Sequence, residues 1–318
     1  MMKRLLGACI AVLLLAGCGN GGDRGGSSAS APEESSQVEL SASEESSQAE
    51  LPASPLAAEE EAAGLEAQAV SPDASEGEGT PEEPVTLTIT VPEGYTLPRI
   101  GMLLEEKGVC TPEEFIQAAQ EGDFSEFPLV AAQEADPNRC FVLEGYLFPD
   151  TYEIYFTATP DEIIRRMLSH TETKITDSLR ARVKESGYTM DQILALASII
   201  EKEAFGHEQM PYISSVLHNR LNNSIRLQCD VTIVYVEGAI KPFITGDKDR
   251  YNSFYNTYKR DGVPPGAICN PGLDAVQAAL APADTDYLYF VTDAQKKYYY
   301  AETYEEHLEN IEVAGTVE

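Results

Sequence analysis

One stretch limits what this chain can fold into more than any other: residues 189–204, TMDQILALASIIEKEA. It opens on Thr189 and Asp191, a hydroxyl and a carboxylate suited to the free amides of a helix start. From Ile193 to Ile200 it is almost wholly apolar. A run apolar on every side, not along one stripe, predicts a helix buried inside a core. Three charges, Glu201, Lys202 and Glu203, follow where such a helix is only starting to emerge. Helical spacing stacks Glu201 on Leu194, Ala197 and Ser198. A carboxyl in that company is partly desolvated, which raises its pKa and keeps it protonated near neutral pH, as a general acid requires. The plainer reading is the solvated last turn of a core helix, and the helix alone leaves both open.

The first residues belong to no such core. Lys3 and Arg4 precede an apolar run over 5–16, too short to span a bilayer and suited to a signal peptide. It closes on Leu15-Ala16-Gly17-Cys18, which resembles the lipobox of bacterial lipoproteins, so lipidation of Cys18 is expected; an ordinary cleaved signal peptide is the alternative. Either places the mature protein outside the cytoplasm. Residues 19–84 hold 16 acidic side chains, one basic (Arg24) and no aromatic. That composition cannot bury enough apolar surface to offset its conformational entropy, so a disordered, extended acidic tether is expected. Residues 85–318 still carry 37 acidic against 19 basic side chains and no Lys/Arg stripe, which argues against nucleic acid as a partner. Cys110, Cys140, Cys229 and Cys269 lack C-x-x-C spacing; they could pair in any of three ways or remain free thiols.

The alternation VTLTITV at 85–91 predicts a half-buried strand. Helices are expected over 96–107, from 111, over 160–186 up to Gly187, and over 209–221, 274–280 and 304–311. Strands are expected over 226–236, 287–292 and 297–301. Residues 143–154, LEGYLFPDTYEI, read as an aromatic turn with strand edges, and 251–272 as a loop of Tyr-Asn pairs and Pro-Gly turns. Flat rings with amides and carboxylates suit a glycan face, although an aromatic core hairpin and ordinary turns would look the same. His207-Glu208 suggests a zinc helix, but Pro211 stands where the second His belongs, so no metal site is expected. Helices and strands mixed without a βαβ rhythm give an α+β fold around the buried helix.

Five segments then stand in one order: LEGYLFPDTY at 143–152, LASIIEKEA at 196–204, RLQCD at 226–230, YNTY with GVPPGAICNPG over 255–272, and ALAPADTDYLYFV at 279–291. From about residue 85 to its end the chain resembles the YceG-like (MltG) family of endolytic murein transglycosylases. The resemblance implies a small, partial LysM-like subdomain over 85–135 and a transglycosylase domain over 136–318. It also implies cleavage of the β-1,4 bond between N-acetylmuramic acid and N-acetylglucosamine in nascent peptidoglycan. The product would be a 1,6-anhydromuramic end, formed without water, cofactor or metal. The family's essential glutamate falls on Glu201, acid first and base second. Gln228, Tyr255 and Asn256 are assigned to positioning substrate, and Glu144 and Asp150 to shaping the cleft. Implied partners are peptidoglycan strands, the membrane through the lipid anchor, and peptidoglycan synthases. The chain departs from the pattern in its lipobox where a transmembrane helix is usual, its short LysM-like region, Cys229 for the common Thr, and Val231 for the common Pro. Competing expectations are a muramidase that uses water, a non-catalytic peptidoglycan-binding lipoprotein, and a scaffold of wall synthesis.

Overall fold

The computed structural model describes residues 85–316; the lipobox with Cys18 and the acidic segment 19–84 lie outside them. The alternating stretch forms β1 (Thr86–Thr90). After it come α1 (Leu97–Glu106), α2 (Pro112–Glu121) and the single turn α3 (Pro128–Ala131). Thr96 and Thr111 cap the first two helices through their hydroxyls, and a proline stands in the first turn of each, where no amide donor is lost. β1 pairs antiparallel with β2 (Thr151–Tyr155), Ile89 opposite Tyr152, so this ladder crosses the boundary drawn at residue 135.

A single helix was expected over 160–186; two form, α4 (Pro160–Lys174) and α5 (Asp177–Ser186). The break falls at Ile175, buried in the core, because Thr176 takes an extended conformation and caps α5 with its hydroxyl. Then comes α6 (Met190–Glu203), in which every residue from Ile193 to Ile200 is buried. Thr189 and Gln192 close its start as a reciprocal capping box. Each fully buried Leu or Ile there contributes roughly 1.5–3 kcal/mol.

α7 (Met210–Asn222), α8 (Val231–Tyr235), α9 (Arg250–Tyr255) and α10 (Leu273–Leu280) follow, and α6 packs chiefly between α10 and α7. The strand expected over 226–236 does not form. Arg220 donates to the carbonyls of Arg226 and Leu227, groups a neighbouring strand would have used. Past them Thr232, Tyr235, Val236, Ala239 and Ile240 are buried at helical spacing, through α8 and a π-helical turn, Val236–Ile240. The hairpin β3 (Tyr289–Thr292) and β4 (Tyr298–Ala301) forms where expected, with α11 (Tyr304–Gly315) across it. Cys110, Cys140, Cys229 and Cys269 are free thiols. Among the described residues no helix is long and apolar enough to cross a membrane.

Candidate active site

The site grows from the last turn of α6. Residues two apart on a helix point to different sides, so Glu201 and Glu203 enter separate surroundings. Glu201 faces the turn that leaves β1. That turn needs Gly94 in the left-handed region (φ 75°), and a side chain there would meet Glu201 and Lys202. Glu201 Oε2 accepts the Gly272 amide at 3.0 Å, at the N-terminus of α10. A Cβ at 272 would displace the carboxyl end of Glu93, which lies against this turn. Burial raises the Glu201 pKa; the Gly272 N–H opposes the shift and the nearby Glu93 adds to it. His207 and Asp274 form an exposed pair close by, at 2.7 Å.

Glu203 lies half-buried against the RLQCD and YNTY segments. Desolvation first, then the charge of Asp230, push its pKa up to about 7. Among the described residues nothing donates a hydrogen bond to its carboxyl, whereas its backbone is fixed: Tyr298 Oη donates to the Glu203 carbonyl at 2.6 Å and accepts the Phe205 amide at 2.8 Å. Asp230 is exposed and accepts the Tyr258 hydroxyl at 2.7 Å. The two segments are stitched together by bonds from the Gln228 amide to the Thr257 carbonyl (3.2 Å) and from the Cys229 amide to Thr257 Oγ1 (2.8 Å). Gln228 sits at φ 54°, a strained conformation for a side-chain-bearing residue, held there by Arg220 Nη1 on its Oε1 at 2.9 Å.

The six positions singled out from sequence separate. Glu201, Gln228 and Asn256 lie on the segments around the end of α6; Gln228 and Asn256 are partly exposed, and Asn256 caps its own turn by accepting the Tyr258 amide at 2.9 Å. Tyr255 has no exposed surface and packs on Tyr235 while its hydroxyl accepts the Cys140 amide, so it supports the loop from within. Glu144, only 3 % exposed, can shape the cleft only from behind: it takes the Leu97 amide at the start of α1, Asn270 Nδ2 and the Tyr235 hydroxyl. Asp150 is spent on His170 (2.7 Å) and Lys174 (3.0 Å) of α4, which hold its carboxyl well below the usual range. Glu203, Asp230 and Tyr258 were passed over, although each stands inside one of the motifs; two carboxyls with Tyr on a third segment was the signal available.

The YceG-like family profile matches residues 64–313, and the chain belongs to that family. An endolytic murein transglycosylase of Streptococcus pneumoniae is 33% identical over 253 residues, 74% of this chain and 46% of that protein. One of Bacillus subtilis is 32% identical over 226 residues, 69% of this chain and 62% of that protein. The chain thus spans about half the length of the first and under two thirds of the second. The crystal structure of a YceG-like protein of Listeria monocytogenes matches with a TM-score of 0.62 at 32% identity, over 70% of this chain and 75% of that one. Its likeness agrees with the mixed helix-and-strand architecture.

Proposed function

We propose that this chain is an endolytic lytic transglycosylase, cutting the β-1,4 bond between N-acetylmuramic acid and N-acetylglucosamine and leaving 1,6-anhydro ends. The observation that carries the reading is the Glu203 carboxyl: half-buried, without a hydrogen-bond donor among the described residues, and protonated up to about pH 7. Family membership and the relatives' names support the substrate class. Glu203 gives its proton to the glycosidic oxygen as the bond to the anomeric carbon breaks. Now a carboxylate, it takes the proton of the muramic C6 hydroxyl while that oxygen bonds to the anomeric carbon. One bond breaks, one forms, and no water is consumed. Asp230, oriented by Tyr258, faces the positive charge that grows on the ring.

Glu201 as the acid is the second reading, favoured by its own upward shift on burial. Against it stands the Gly272 amide at a helix N-terminus, which stabilises the carboxylate form. Mass spectrometry of peptidoglycan digested by the full-length protein decides between them. Glu203→Gln is expected to lose anhydro product by about 10²–10⁴-fold while Glu201→Gln keeps most of it; the reverse pattern hands the role to Glu201. Reducing muramic ends in place of anhydro ends would make the enzyme a muramidase.

In the same reading Cys18 carries the lipid anchor on the outer face of the membrane, the acidic segment 19–84 spaces the domain from it, and synthases are the neighbours. The order β1–α1–α2 supports a LysM-like glycan contact for 85–135.

A further inference from the structure

Tyr298, whose hydroxyl fixes the backbone of Glu203, is also the first ring of a row on the hairpin face opposite α11, partly packed against the core. Phe205 lies on one side of it, with centroids 6.4 Å apart, and Tyr300 on the other at 5.9 Å and within 14° of parallel. The row forks at Tyr300, which meets Tyr287, stacked at 5.3 Å and 20°, and also Tyr212, at 5.7 Å. The register explains the row: Tyr298 and Tyr300 are two apart on β4 and share a face, while Tyr289 and Tyr299 point to the other. The Tyr289 face is covered by α11, but Phe205 and Tyr212 are 58% and 42% exposed and the remaining rings are partly so. None of these side chains takes part in the chemistry above.

We propose that this row is a stacking platform for the carboxylate-bearing glycan strand beyond the cleavage point, which extends the cleft from Glu203 along the hairpin; it rests on the function proposed above. Three features select that occupant. Each ring-to-ring step is comparable with one pyranose in an extended chain, so successive sugars can meet successive rings. The row is continuous with the cleft, since Phe205 lies two residues past Glu203 and Tyr298 holds both backbones. Lys296 Nζ lies 5.0 Å from the Phe205 ring, which brings a cation to the platform of a chain whose net charge is −31 and suits the lactyl carboxylates that muramic acid exposes where a strand carries no stem peptide.

The test measures binding of long, peptide-free glycan strands to full-length protein carrying Glu203→Gln, so that strands stay uncut. Adding Phe205→Ala with Tyr212→Ala is expected to weaken binding at least about tenfold, with thermal stability unchanged because both side chains are exposed. Phe205→Trp with Tyr212→Trp should restore it. Unchanged affinity in the alanine pair, or no rescue by tryptophan, overturns the proposal. So does a parent protein that binds free stem peptides but not stripped strands, or an alanine pair whose only change is the loss of self-association. If the alanine and tryptophan pattern holds but the protein with Glu203 intact makes no anhydro ends, the platform stands and the catalytic reading falls.

Discussion

Burial lifts the carboxyl of Glu144 to about 8 and that of Glu203 to about 7, yet their partners differ completely. Glu144 is enclosed by donors from α1, Asn270 and Tyr235 and joins three segments behind the cleft. Glu203 is partly exposed and has no donor among the described residues. The linkage is the same in sign for both: a folded pKa above the ordinary 4.5 favours the fold fully below pH 4.5, and that advantage is lost as pH rises towards the folded value. Removing the titration at 144 should therefore flatten the decline. In thermal melts between pH 4.5 and 8, Glu144→Gln should lose less Tm than the parent does; equal slopes would mean that Glu144 does not titrate in that window. Sequence alone could single out Glu144 as a carboxyl in an aromatic segment, but not that α1, far along the chain, would spend it as a cap. The burial of Tyr255 was hidden for the same reason: enclosure by distant segments is not written beside a residue.

At the scale of elements, α6 was legible because a run without a polar stripe admits one solution, a helix surrounded on all sides. Its polar member, Ser198, shows how the helix is tied to the GVPPGAICNPG segment. Ser198 Oγ donates to the Ala195 carbonyl at 2.8 Å and accepts the Ile268 amide at 2.9 Å, both away from water. Ser198→Ala leaves that amide without a partner and should cost about 1–3 kcal/mol in denaturant unfolding; a cost near zero would mean that the loop does not depend on this bond. The stretch 226–236 misled because alternating β-branched residues look like a strand, while the guanidinium of Arg220 claims the backbone carbonyls before it. The helical spacing of Thr232, Tyr235, Val236, Ala239 and Ile240 was present in the sequence and was the better guide.

Across the whole molecule, β1 lies before residue 135 and β2 after it, with Ile89 and Leu97 sharing one core with α6. The described residues form one compact unit. Calorimetry on the full-length protein should therefore show one cooperative transition for this region; two separable transitions would restore an independent subdomain. The same unity gathers the turn after β1 and the RLQCD and YNTY segments about the end of α6, and the activity read from it turns on where one proton resides. The most direct test is the pH dependence of kcat/KM for anhydro-end formation by the full-length protein. The account predicts a rate that falls as pH rises through about 7, where Glu203 loses its proton, and a falling limb kept by Glu201→Gln. A profile flat across neutrality, or a falling limb in Glu201→Gln displaced to the ordinary carboxylate range, would contradict it.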